Sequence, residues 1–97
     1  MASDSGRAYT DWAVKTGTYT AVDKDQLIAN SGSAFTITLP SGSPGATVII
    51  CNAGAGEVTV GRTSSQKINS AAEDGTLPQG NSVQLVYVDD TIGWFEI

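Results

Sequence analysis

Phe35-Thr36-Ile37-Thr38-Leu39-Pro40-Ser41-Gly42-Ser43-Pro44-Gly45-Ala46-Thr47-Val48-Ile49-Ile50-Cys51 is the stretch that decides the fold class. Its first five residues alternate, placing Phe35, Ile37 and Leu39 on one face and Thr36 and Thr38 on the other. That is a strand with a dry side and a wet side. Its last four residues, Val48 to Cys51, are apolar on both faces, as in a strand covered on both sides. Between them, Pro44 fixes one φ angle and the glycines are free to take φ > 0, so the chain turns there.

The same pattern continues in both directions. Short runs of Val, Ile, Thr and aromatics, separated by Gly, Ser, Pro, Asn and Asp, predict strands near 17–22, 26–29, 34–39, 46–52, 57–62, 66–69, 82–89 and 92–97. A short extended piece around Leu77 is expected within a loop over 71–78. Val83, Leu85, Val86, Tyr87 and Val88 repeat the doubly apolar pattern. The second cover of such strands is another sheet, the head of the chain, or another subunit. Asn52-Ala53-Gly54-Ala55-Gly56 reads as a hairpin turn, and Asp89-Asp90-Thr91-Ile92-Gly93 as the link of an antiparallel hairpin too short for a crossover. The expectation is an all-β fold: a small β-sandwich or jelly-roll-like barrel of about eight short, mostly antiparallel strands. Residues 1–15 form a short N-terminal arm in this reading, and 16–97 the β-sandwich module.

Composition narrows the function. A chain of 97 residues makes one domain with a thin core, burying roughly 60–65% of its unfolded surface. Gly, Ala, Ser and Thr supply 43 of those residues, so burial against a partner would add stability. The net charge of −5 repels a phosphate backbone, so nucleic acid is not an expected partner. No window reaches the ~20 apolar residues of a membrane span, and residues 1–15 have no signal-peptide pattern. The expectation is a soluble protein made in a reducing cytoplasm. Histidine is absent, which removes the commonest general base and the commonest metal ligand. Cys51 is the single cysteine, expected to be buried and inert.

Few residues invite a chemical role. Gly54-Ala55-Gly56 lacks the third glycine, the Lys and the helix of a phosphate-binding loop. Asp23 and Asp25 flank Lys24 at one turn, and Asp89 and Asp90 sit at another. Adjacent acids at turns are mostly solvated turn formers, and neither pair has the spacing of a calcium loop. The serines have no activating base. No catalytic residue, cofactor or metal site is therefore expected. Tyr9 and Trp12 are the residues expected to bind a partner, because amphipathic aromatics suit a docking segment. The head carrying them either folds back over its own sandwich or reaches a neighbour. Trp94 beside Asp89 and Asp90 is the one cluster a sugar receptor could use, against a reading of Trp94 as a core residue of the last strand.

Tyr19-Thr20-Ala21-Val22-Asp23, Leu27-Ile28-Ala29-Asn30-Ser31 and Phe35-Thr36-Ile37-Thr38-Leu39-Pro40 together resemble a small β module of bacteriophage virion proteins. The resemblance continues through Gly45-Ala46-Thr47-Val48-Ile49-Ile50, Val58-Thr59-Val60, Ile68-Asn69, Ala72-Glu73-Asp74 and Val83-Gln84-Leu85-Val86-Tyr87, ending at Gly93-Trp94. It covers residues 17–97, and its motifs are structural. Such modules occur in tail-fibre and tailspike proteins and in other virion surface proteins, typically as β-sandwich-like folds and often as trimers. The family's last hairpin usually has a basic residue after its Trp; here Phe95 and Glu96 follow Trp94. The resemblance implies a non-enzymatic virion protein, a homotrimer without cofactors. A module with only a short head suits a capsid decoration (cement) protein bound to the major capsid protein and stabilising the shell. The alternative it implies is a tail-fibre or tail-tip component binding a host surface receptor.

Overall fold

The computed structural model describes residues 11–97. They form nine strands: β1 (Trp12–Lys15), β2 (Tyr19–Thr20), β3 (Asp25–Ala29), β4 (Phe35–Thr38), β5 (Thr47–Asn52), β6 (Val58–Gly61), β7 (Gly75–Leu77), β8 (Ser82–Tyr87) and β9 (Trp94–Glu96). One sheet runs β1-β3-β5-β8-β9 and the other β2-β4-β6-β7. Both sheets are open, so the fold is a small all-β sandwich rather than a closed barrel.

The expected antiparallel majority is corrected. β1 with β3, β3 with β5, β2 with β4 and β4 with β6 are all parallel. Only β5 with β8, β6 with β7 and β8 with β9 are antiparallel. The reason lies in the connections. Up to β6 the chain alternates between the sheets, so each turn is an arc to the opposite layer rather than a hairpin within one. The intervening strand then serves as the crossover that a parallel pair requires. Asn52-Ala53-Gly54-Ala55-Gly56 is such an arc, joining β5 to β6, and not the hairpin turn expected from its composition. The hairpin over 89–93 is present as expected, joining antiparallel β8 and β9.

Two further differences concern the ends of strands. Trp12–Lys15, placed in the arm by the sequence, is an edge strand hydrogen-bonded in parallel to β3. No strand spans 66–69; Ile68 makes isolated bridges to Ala71 and Trp94. The positive φ angles at Ser64, Ser65, Asn69 and Ser70 bend the segment on both sides of Ile68, which keeps it from extending.

The core lies between the sheets. Leu27, Ala29, Val48, Ile50, Leu85, Tyr87 and Trp94 face inward from the larger sheet, and Ile37, Leu39, Val58, Val60 and Leu77 from the smaller. Trp94 is fully buried, and its ring meets Tyr87 edge-on at 5.5 Å between centroids, a favoured aromatic geometry.

The arcs stack on one another at one end of the sandwich. Ala53 N and Gly54 N donate to Ala29 O at 2.8 and 3.2 Å, and Gly56 N donates to Ser31 O at 2.8 Å. A side chain on Gly56 would run into the backbone of Ser33, so only glycine lets the two arcs approach. Buried Asn52 ties this end together. Its Nδ2 donates to Gly56 O at 2.9 Å and to Leu77 O at 2.8 Å, while its Oδ1 accepts from Gly54 N at 3.1 Å. One side chain of the larger sheet thereby holds the arc and the edge strand β7 of the smaller sheet.

Candidate docking face

Register decides which side chains point outward. On the smaller sheet, Thr38 lies between Thr20 and Gly61, and Thr59 between Thr36 and Thr76. That outer face is a field of hydroxyl and methyl groups. The larger sheet differs. One row places Trp12, Gln26, Ile49 and Gln84 side by side; the next holds Val14, Ile28, Cys51 and Ser82; a third holds Thr47, Val86 and Phe95. None of these outward residues is charged, although the chain carries 10 acidic and 5 basic residues. Trp12 is 43% exposed, Val14 58% and Phe95 45%, with Ile97 at 63% just beyond the strand end. Strand spacing makes the face roughly 20 Å by 15 Å, the scale of patches that mark interaction sites.

Each residue singled out by the sequence has a definite place, apart from Tyr9, which lies outside the described residues. Trp12 stands on β1 at one border of the apolar face. Cys51 lies on the central strand β5 in an end row of that face, and is half-buried rather than fully enclosed. Trp94 is in the core, as the preferred reading of it has it, so it cannot offer a ring to the sugar cluster with Asp89 and Asp90 that the alternative reading would need. The two acids have local work instead. Asp89 Oδ1 accepts from Thr91 N at 2.9 Å and Ile92 N at 2.8 Å, shaping the turn. Asp90 Oδ1 accepts the Tyr87 hydroxyl at 2.5 Å. That bond, with burial and the negative charges of Asp90 and Asp89, pushes the Tyr87 phenol above its ordinary value of 10.0.

The other acidic turn behaves alike. Asp25 Oδ2 accepts from Tyr19 Oη at 2.8 Å and Val22 N at 2.9 Å, and Asp23 Oδ1 accepts from Thr47 N at 2.9 Å. Lys24 between them takes a left-handed φ of 73°. Both carboxylates thus serve the turn into β3. Among the described residues no group of three or more His, Cys, Asp or Glu is placed to hold a metal.

Sequence reasoning did not single out Val14, Ile28, Ile49, Val86 or Phe95 as docking residues. The signal was present in the doubly apolar runs 47–51 and 83–88, but which half faces outward depends on the register. A second feature had no sequence signal. A cleft of about 480 Å³ opens between β7 and the β8–β9 hairpin, lined by Val60, Leu77, Val83 and Leu85 together with Asn69, Asn81 and Glu96.

No protein-family model matches the chain. No curated protein matches it. Among solved structures it is similar to the crystal structure of enterohemorrhagic E. coli StcE(132-251), with 22% sequence identity and a TM-score of 0.46. The alignment covers 71% of this chain and 61% of that one, so this chain spans less than two thirds of that fragment.

Proposed function

We propose that the chain is a non-enzymatic structural protein of a bacteriophage virion, a decoration protein that binds the capsid surface as a homotrimer and stabilises the shell. The observation that carries this reading is the outer face of the larger sheet, free of charged residues and carrying Trp12, Val14, Ile28, Ile49, Val86 and Phe95 among uncharged polar ones, beside a threonine-lined opposite face. A sheet side of that kind gains by leaving water, at about 25 cal/mol per Å² of apolar surface covered. Binding that is available only to the folded, assembled state raises its stability, which is the physical content of cementing a shell. Closed cyclic assembly lets several copies act together across a capsomer boundary. The protein acts on the virion after synthesis in the host cytoplasm, and needs no cofactor, nucleic acid or membrane. The tail-tip reading is weaker by comparison, since buried Trp94 leaves its sugar-binding cluster without an aromatic.

The test is a charge placed on each face in turn. Val86→Lys is expected to leave a folded protein that no longer binds its particle, because a lysine ammonium would be desolvated within the contact. Thr38→Lys on the opposite face is expected to bind normally. Phe95→Lys, at a more exposed position, serves the same purpose if Val86→Lys fails to fold. Co-sedimentation with particles reads the outcome; undiminished binding by the folded Val86 or Phe95 variant overturns the assignment of the face.

A further inference from the structure

The sandwich stacks five strands on four. Arcs link β1 to β2, β3 to β4 and β5 to β6, and β7 connects directly to β8, so each of these pairs spans the two layers. β9 is left beyond the last strand of the smaller sheet. The cleft lies at that position, with Val60 and Leu77 on one wall and Val83 and Leu85 on the other.

The two strands bordering it differ in their free edges. The outer edge of β9 is already satisfied: Trp94 N donates to Lys67 O at 2.7 Å, and Asn69 N donates to Trp94 O at 2.7 Å. Glu96 N donates to Asn69 Oδ1 at 3.0 Å, so an amide side chain completes the imitation of a neighbouring strand. β7 has β6 on one side and, among the described residues, no strand on the other. An unpaired strand edge is a template for a further strand. Here that edge borders a cleft lined both by Val60, Leu77, Val83 and Leu85 and by the polar Asn69, Thr76, Asn81, Ser82 and Glu96, with room beside Gly75, where an added side chain would meet only Val60, at 3.7 Å.

We propose that this cleft is a strand-addition site for an extended peptide segment of a partner protein. The segment adds beside β7, main-chain bonds supply affinity, and one large aliphatic side chain seats between Val60, Leu77, Val83 and Leu85. Among the described residues Glu96 is the only charged side chain lining the cleft, so the occupant carries a Lys or Arg beside that aliphatic anchor. The volume accommodates a peptide anchor and excludes a folded domain. This site is separate from the outer face of the larger sheet and stands whether or not the virion reading holds.

An acetylated, amidated peptide of the pattern Lys-Thr-Leu-Thr-Lys, titrated into the ¹⁵N-labelled protein, tests the proposal. Saturable amide shifts confined to Gly75–Leu77 and Ser82–Leu85 are expected. Replacing the peptide's Leu by Asp should abolish them, a comparison that uses the unaltered protein. Glu96→Lys should weaken binding several-fold, and Gly75→Val, which puts two methyl groups into the entrance, should remove it. No saturable shift at millimolar peptide, shifts mapping to the outer face of the larger sheet, or equal binding of the Asp peptide would overturn the assignment.

Discussion

Trp94→Ala is expected to lower the stability of the folded protein by about 3–5 kcal/mol, the usual cost of deleting a large buried aromatic. Domains of this size hold roughly 5–15 kcal/mol in all, so the variant would be close to unfolding at physiological temperature. The ring is fully buried and its edge-on contact with Tyr87 would be lost with it. It also fills the space beside Gly42, whose hypothetical side chain would lie only 2.9 Å from the indole. Trp94→Phe separates packing from polarity. Trp94 Nε1 is buried without a hydrogen-bond partner, so phenylalanine sacrifices volume but no bond. Thermal melts should therefore place the Phe variant well above the Ala variant, at roughly 4–8 °C per kcal/mol. An alanine variant melting within a few degrees of the parent would contradict the placement of Trp94 in the core.

Asn52→Leu is expected to be comparably damaging although it conserves size and adds apolar surface. The substitution removes the donor that Gly56 O and Leu77 O share, whereas Gly54 N loses Oδ1 but keeps Ala29 O as its acceptor. Each buried polar group left without a partner costs about 1–3 kcal/mol. The expected loss is therefore about 3 kcal/mol or more, read as a fall in the urea midpoint. Asn52→Asp supplies the sign. Its carboxylate would face two carbonyl oxygens, which raises its folded-state pKa above the unfolded value. A raised pKa contributes most below the unfolded pKa and loses that contribution as pH rises through the folded one. The Asp variant should thus be relatively more stable at acid pH than at neutral pH, compared with the parent at each. A variant indifferent to pH, or a Leu variant as stable as the parent, would contradict the role assigned to Asn52.

What could be read from the sequence follows the range of the interaction concerned. The alternation in Phe35–Leu39 is local, and β4 presents Ile37 to the core and Thr36 and Thr38 outward as that alternation requires. The hairpin after Tyr87 was legible because its short link leaves no other geometry. Parallel pairing was not legible. The turn residues specify where the chain bends, whereas the partner of Asp25 is Val48, set by how arcs stack. β1 escaped for a different reason. Its inward position opposite Ala29 is held by Lys15, which breaks the apolar alternation expected of a strand. The lysine is accommodated because its ammonium sits over the Tyr19 ring, 3.9 Å from the centroid. The docking face lay between these cases. Two doubly apolar runs announced a covered strand, but only register brings Phe95 beside Val86 and Val14 beside Ile28.

The proposed function is tested most directly by the copy number of this chain in purified particles, measured by quantitative mass spectrometry against the major capsid protein. A ratio of the same order as the capsid protein is the predicted result, since a trimer that cements capsomers must recur across the shell. A handful of copies per particle would contradict decoration and move the protein to the tail; absence from the particle would contradict the virion reading itself.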